Sequence, residues 1–471
     1  MLVFYCLTRE TEQMKRQLLL ALGCLMLLGG WLGAFLLNSV PQSSTLYILG
    51  PTLLLGIGMG LMLKTVGGKL TALTLALTAL TALLTLNQIF PSKGVSITAF
   101  QKPAPAEQNG TDLVLEAHAD DREGLFAEPP VLESFAPVKI RLFSRLPSGA
   151  RMLLFDPQGN LYVSLPHLGA VYLLQDRDGD GFAEQPLLFH AGMDRPHGLA
   201  WLNGNLYVAE TTQVLELRDS NGDHQADRVR TVLGDLPDDG GHWTRSLAAG
   251  RDGLLYLSIG SRCNACEEQD PRRATVLRVD PQTGQADVFA RGLRNSVGLT
   301  FSPNGNVLWG SDNGRDMLGD DLPPDEINRI VADQDYGWPY CYGKKIPDPT
   351  LGSAERCETT VASAVDLQAH SAPLGIVFGT DLNAPEEYRN SLYVAYHGSW
   401  NRTRPTGYKI VRIPFAGGEA AGDTREFMRG WLRDGKAWGR PVAPAVGPDG
   451  NLYISDDRAD AIYRIHWTTE E

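Results

Sequence analysis

The 471-residue sequence predicts an all-β six-bladed β-propeller preceded by an α-helical transmembrane segment of about three helices. Three observations point there: almost no charge in the first 90 residues, a turn-plus-strand pattern that occurs six times after residue 150, and spacings of 45 and 49 residues between its first three copies.

The front end holds only seven charged side chains: Arg9, Glu10, Glu12, Lys15, Arg16, Lys64 and Lys69. Its apolar runs, at about 17–37, 46–63 and 70–89, each approach the roughly twenty helical residues that cross a bilayer. A cleavable signal peptide accounts for the first run alone. Arg9, Lys15 and Arg16 precede the first run, Lys64 and Lys69 separate the second from the third, and 38–45 is uncharged. Basic residues stay on the cytoplasmic side, so three spans deliver the rest of the chain outside. The expectation is a membrane-embedded N-terminus in the cell (inner) membrane, with the propeller on the periplasmic or extracytoplasmic side. Residues 91–135, rich in Pro, Ala and acids, read as a linker, and 136–471 as the propeller.

The formal charge is −13. Five of 42 basic and two of 55 acidic residues precede position 91, leaving 37 against 53 in the remainder. So acidic a body excludes a nucleic-acid partner, which needs a basic face for phosphates. Cys263, Cys266, Cys341 and Cys357 are an even set in a domain expected to be exported, which points to two disulfides. Cys263–Cys266 and Cys341–Cys357 are the expected pairs, although four cysteines allow three pairings. A zinc site of four thiolates is the rival, disfavoured by the fifteen residues between Cys341 and Cys357.

The repeat reads PQGNLYVS at 157–164, LNGNLYVAE at 202–210, RDGLLYLSIG at 251–260, SPNGNVLWGSD at 302–312, YRNSLYVAYHG at 388–398 and GPDGNLYISDD at 447–457. Each is a tight turn entering a short strand, most with Asn or Asp beside Gly to supply the positive φ such turns require. A period near 45 residues is the length of one four-stranded blade. A sandwich would show turns every 8–12 residues without the longer period.

Two connections carry acidic ladders: Asp176, Asp178, Asp180 and Glu184, then Asp219, Asn221, Asp223 and Asp227 one blade later. Alternating oxygens suit a hard cation, and the acid at the ninth position resembles the calcium loops of integrin-type propellers. An EF-hand would need Glu at the twelfth position, where Leu187 stands.

Polar clusters gather beside the repeats: HWTRSL at 242–247, GLRNSVG at 292–298, DNGR at 312–315, DEIN at 325–328, YGWP at 336–339, HSAP at 370–373, HGSWNRTR at 397–404 and GRP at 439–441. Cations at blade entrances of an otherwise acidic protein suggest a polyanionic small ligand on the axis. In order and spacing, these motifs over about residues 140–467 resemble the soluble-type quinoprotein aldose dehydrogenases; HSAP and YHGSWNR are more similar to the sorbosone-dehydrogenase-like branch.

The resemblance implies pyrroloquinoline quinone with calcium, and a sugar or related alcohol or aldehyde as substrate. It implies His242 as general base, taking a hydroxyl proton while hydride leaves the sugar carbon. Arg294, Asn295, Arg440 and Asn160 match cofactor-contacting positions. Backbone carbonyls of Gly314 and Arg315 match calcium ligands, and Asp325, Glu326 and Tyr336 match positions that support that site or bind a structural calcium. Where the aldose enzymes carry a Lys, this chain has Tyr396-His397-Gly398, and Val442 replaces a second Arg. Arg402 and Arg404 are the candidates to restore that charge. Electrons would pass to a membrane quinone or a soluble acceptor. Two rival readings are a calcium-dependent propeller lactonase and a non-catalytic tethered propeller that binds a partner or glycan.

Overall fold

The computed structural model describes residues 110–468, within the compact unit Gln108–Glu471. The three apolar runs and the first part of the expected linker lie outside the described residues. Among the described residues, no helix is long and apolar enough to cross a membrane.

The described chain forms an all-β propeller. Its first sheet consists of Leu153–Phe155, Leu161–Leu165, Ala170–Leu174 and Leu187–Ala191, paired antiparallel in chain order. The next sheets open on Gly198–Leu202, Arg245–Ala249, Ser296–Phe301, Pro373–Phe378 and Pro441–Val446. These opening strands pack on one another in a closed cycle, the last returning to Leu153–Phe155. Five sheets are regular blades of four or five strands. The sheet that opens on Pro373–Phe378 is larger, with seven. The six-blade expectation therefore meets five regular blades and one enlarged sheet.

The ring closes by strand exchange between the chain ends. Val138–Arg145 pairs with Ala461–Trp467, so an early strand completes the sheet built by the last residues. The second strand of each sheet is buried on both faces; Leu161–Leu165, Leu255–Ile259, Leu308–Asp312 and Leu452–Asp456 are buried throughout. Such strands read as continuous apolar runs rather than alternating ones, which explains the LYV, LYL and LYI cores of the repeats. Apolar clusters fill the space between sheets, as where Tyr207 and Ala209 share one with Leu255, Leu257 and Leu277.

Four repeats place a Ser at the same position, and its hydroxyl donates to the opening strand of the next sheet or to one of the two residues ahead of it. Ser164 reaches the His197 carbonyl at 2.8 Å, Ser258 that of Ser296 at 2.6 Å, Ser311 that of Leu374 at 2.5 Å and Ser455 that of Arg151 at 2.6 Å. These bonds tie each sheet to the main chain of the next at the axis.

Residues 111–134, expected to be linker, instead form structure. Thr111–Val114 pairs with Val131–Ser134, which pairs with Arg425–Arg429 on the enlarged sheet. Leu115, Phe126 and Leu132 are buried with Phe427 and Trp431. Pro and acidic residues are frequent in the segment, but Leu115, Phe126 and Leu132 face inward and fix it to the sheet, while Val114 and Leu125 stay exposed. Both expected disulfides are present. Cys341–Cys357 ties the hairpin of Cys341–Tyr342 and Ile346–Pro347 to the short helix Ala354–Glu358.

Two stability measurements check this packing. A Cβ on Gly298 would sit 2.2 Å from the Leu374 carbonyl oxygen, so Gly298→Ala should cost about 1–3 kcal/mol in chemical denaturation. Replacing Cys341 and Cys357 by Ser opens a sixteen-residue separation and should cost about 3 kcal/mol.

Candidate active site

Loops at one end of the ring converge on a cavity of about 330 Å³. Its wall combines Arg151, Arg294 and Arg440 with His242, His370 and His397, together with Asn295, Asn313, Asn401, Asp316 and Asp325. Trp243 and Trp400 add aromatic surface, and Trp400 is 69% exposed. The volume lies in the range of small-molecule sites.

Two of the arginines are set by the same device. Asp312, the last residue of one second strand, accepts the Arg294 amide at 3.0 Å, the Asn295 amide at 2.7 Å and the Ser296 hydroxyl at 2.9 Å. Asp456, at the matching repeat position, accepts the Arg440 amide at 2.8 Å and the Arg458 and Ala459 amides at 3.0 and 2.9 Å. Burial raises both carboxyls to about 6. Each acid holds the loop that carries an arginine to the cavity.

The arginines differ in what they leave free. Arg294 is buried and donates to the Asn264 carbonyl, the Asn264 side chain, the Asn313 carbonyl and Asp316. Arg440 donates through Nε and Nη2 to the His397 and Gly398 carbonyls at 3.1 and 3.0 Å, and no bond engages its Nη1. Arg151 pairs with Asp457 at 2.8 Å, while its buried Nε has no partner. The Oδ1 of Asn401 is likewise buried and unpartnered. Unsatisfied donors and acceptors around a cavity are what a polar ligand would complete.

His242 is oriented through Nδ1, which lies 2.8 Å from the Ser261 carbonyl and 2.9 Å from its hydroxyl. The hydroxyl donates onward to the Cys263 carbonyl, so Nδ1 is the protonated nitrogen and Nε2 is left as an acceptor. Burial, then Arg294, depress this imidazole to about 3. On the Arg440 side, His397 donates from Nε2 to Asp457 at 2.9 Å. Burial lowers His397 to about 4 even against that carboxylate, and His397 and Arg151 hold Asp457 far below the usual range despite its own burial.

Asp325 accepts the Gly314 and Ala372 amides at 2.9 and 3.1 Å, and Glu326 accepts the Gly343 amide and the Asn328 side chain. Burial pushes Asp325 up to about 7 and Glu326 to about 8. Gly314 and Asp325 line the main cavity; Arg315, Glu326 and Tyr336 line an adjoining cleft with Gly314. Arg315 is committed to Asp348 at 2.6 Å. The Tyr336 hydroxyl donates to the Arg329 carbonyl and accepts the Val331 amide, so it serves that loop.

Three expected cofactor contacts do not line the cavity. Asn160 binds Asp156 and Gln175 in a hairpin, because the turn that made it conspicuous is a blade connection. Arg402 pairs with Asp321 and donates to the Asp320 carbonyl, and its neighbour Asn401 faces the cavity instead. Arg404 is exposed and outside the wall. Trp243 and Asn313 lie in the polar clusters singled out in the sequence without a role of their own, whereas Arg151 and Asp316 escaped sequence reasoning. Arg151 had a signal: like Arg245, it stands eight residues before a turn glycine. Arg245 itself spends its donors on the His242, Thr244 and Pro237 carbonyls.

The acidic ladders do not line the cavity either. In the first, Asp176, Asp178 and Asp180 bring oxygens within 4.8 Å of one another. Glu184 accepts the Arg177 amide. In the second, Asp219 accepts the Gly222 and His224 amides and Asp227 the Ser220 amide, while the Asn221 amide group donates to Asp223.

Fold and wall together define a propeller with an arginine-lined axial cavity and an oriented neutral imidazole. The chain belongs to the family described as a domain of unknown function, DUF7133, which its residues 152–471 match. A Borreliella burgdorferi protein, described as uncharacterized, is 31% identical over 327 residues, 66% of this chain and 84% of that one. The pyrroloquinoline quinone-dependent pyranose dehydrogenase of Coprinopsis cinerea is 27% identical over 48% of this chain, and the match spans only 39% of that enzyme. Among solved structures, the calcium structure of a Trichoderma reesei family AA12 carbohydrate-active enzyme superposes with a TM-score of 0.63 at 23% identity, covering 72% of this chain and 98% of the other. The holo form of the Coprinopsis cinerea pyranose dehydrogenase PQQ domain gives 0.60 at 20% identity, over 71% and 97%.

The depressed histidines set an acid limit. An unfolded chain protonates His242 and His397 near 6.5, whereas the folded protein resists until about 3 and about 4. Their contribution to stability is whole above about pH 6.5 and is lost as pH falls through that window. The Tm should therefore fall from pH 6.5 to pH 4.5 less steeply in His397→Gln than in the wild type; equal slopes would contradict the assignment.

Proposed function

We propose that the protein is a membrane-anchored, pyrroloquinoline quinone-dependent dehydrogenase that oxidises a sugar or related alcohol or aldehyde. The observation that carries this reading is the convergence of Arg151, Arg294 and Arg440 on a cavity beside the acceptor nitrogen of His242. A planar tricarboxylate fits the cationic wall, with Arg440 Nη1 left open as a donor beside the charges of Arg151 and Arg294. When bound, the quinone supplies the two-electron acceptor.

The chain's own residues do the rest. His242 takes the substrate hydroxyl proton at Nε2, and its low pKa keeps that nitrogen free at neutral pH. Ser261 fixes the ring, so no reorientation precedes proton transfer. Asn295 and Arg440 hold the anionic ligand in register. Gly314 and Arg315 carbonyls would hold calcium, with Asp325 and Glu326 behind them as buried carboxyls whose donors are amides. A calcium ion in the Asp176–Glu184 loop would brace a blade edge far from the chemistry. The enlarged sheet serves as the sixth blade, and the spans at 17–37, 46–63 and 70–89 hold the propeller at the periplasmic face of the inner membrane, near a membrane quinone or soluble acceptor. A calcium-dependent lactonase is disfavoured, because its axial ion would face three arginines without an anionic cofactor to offset them.

Calorimetric titration of the quinone into the full-length protein, with and without calcium, tests this reading. Binding should need calcium, and Arg440→Ala should weaken it about tenfold or more. In a dye-reduction assay over aldoses, His242→Ala should lose roughly 10²–10⁴ in turnover with binding retained. Absence of binding at every calcium concentration would overturn the proposal.

A further inference from the structure

The Cys263–Cys266 disulfide closes a four-residue ring around Asn264 and Ala265, and Asn264 bonds to Arg294 in the wall of the cavity. Its carbonyl accepts Arg294 Nε at 2.9 Å, and its Oδ1 accepts Arg294 Nη2 at 3.0 Å and the Asp316 amide at 2.7 Å. Its Nδ2 donates to the Asp316 carbonyl at 3.1 Å. One side chain thus fixes a buried arginine and the loop that presents Asp316, both of which line the cavity. The ring's first residue serves the other side of the site: the Cys263 carbonyl accepts the hydroxyl of Ser261, the residue that orients His242.

We infer that Asn264 is a positioning residue for Arg294 and Asp316, and that the Cys263–Cys266 bond makes the site sensitive to thiol reductants. The inference about ligand affinity rests on the proposed function; the coupling of the ring to the loop does not. Asn264 never reaches the cavity, so it acts through Arg294. With the ring closed, its backbone has few conformations and the four bonds form at a lower ordering cost. A dithiol reductant breaks the S–S bond with two electrons and two protons. Cys263 and Cys266 become thiols and the reductant becomes its own cyclic disulfide. Asn264 then lies in an open loop, and holding Arg294 costs the entropy the ring had removed. The ring is the accessible bond of the two: Cys263 and Cys266 are partly exposed, whereas Cys341 is 5% and Cys357 1% exposed.

Hydrogen-exchange mass spectrometry on the full chain, before and after a dithiol, reads the coupling without any ligand. The segment 313–316 should exchange faster after reduction, because the Asp316 amide donates to Asn264. In the Cys263→Ser/Cys266→Ser double variant it should be fast from the start and unchanged by the dithiol. Asn264→Ala should also be fast, and Asn264→Asp, which keeps both acceptors, should recover protection. Quinone titration of the same samples should show affinity lowered about tenfold by reduction and by Asn264→Ala, with partial recovery in Asn264→Asp. Unchanged exchange at 313–316 in reduced wild type, or equal dithiol sensitivity in the double variant, would overturn the inference. If exchange responds but the quinone binds no form of the protein, the coupling stands and the dehydrogenase reading falls.

Discussion

The ring's axis is so narrow that opening strands from neighbouring sheets touch main chain to main chain, and most other features follow from that crowding. Gly198 shows it as Gly298 does: a Cβ there would stand 2.5 Å from both the Arg245 carbonyl oxygen and the Leu247 amide. Side chains cannot fill such a contact, so small hydroxyls bridge it. Ser164, Ser258, Ser311 and Ser455 bind one sheet to the next by donating to its main-chain carbonyls. Pairing of Val138–Arg145 with Ala461–Trp467 then locks the circle, so that no sheet loosens alone.

A closed circle brings the same end of every opening strand to one point, and the repeat supplies equivalent positions there. Asp312 and Asp456 each end a second strand and hold the loop before the neighbouring opening strand. Arg294 and Arg440 are therefore delivered by one local motif used twice. Repetition also explains why charge can converge in an acidic molecule. Each cation costs its own desolvation, offset by nearby carbonyls and by Asp316 or Asp457. The residual donors face the cavity.

Burial governs the titration of the wall. His242 and His397 are both buried at the same end of the ring, and both are pushed well below an ordinary imidazole although their partners differ. His242 is bonded to a carbonyl and faces arginines, which oppose its charging. His397 meets a carboxylate, yet desolvation and Arg151 outweigh it. His242 is therefore neutral across the physiological range, with Nδ1 engaged by Ser261 and Nε2 unprotonated.

Much of this was legible along the chain. Six LYV-type strands, five of them entered through a turn glycine, and the two cysteine pairs follow from local chemistry, because turns, strand runs and short disulfide loops depend on near neighbours. His242, Arg294, Asn295, Gly314, Asp325 and Arg440 were singled out by the family resemblance of their motifs, and the ring brings them to one cavity or its edge. Tertiary structure alone decided the rest. It drew Arg151 and Asn401 into the wall, turned Asn160 and Arg402 away, and bound residues 111–134 to a sheet whose partner strand lies about 300 positions later. Which way a side chain faces at the axis depends on the sheets on either side of it, and those come from distant parts of the chain.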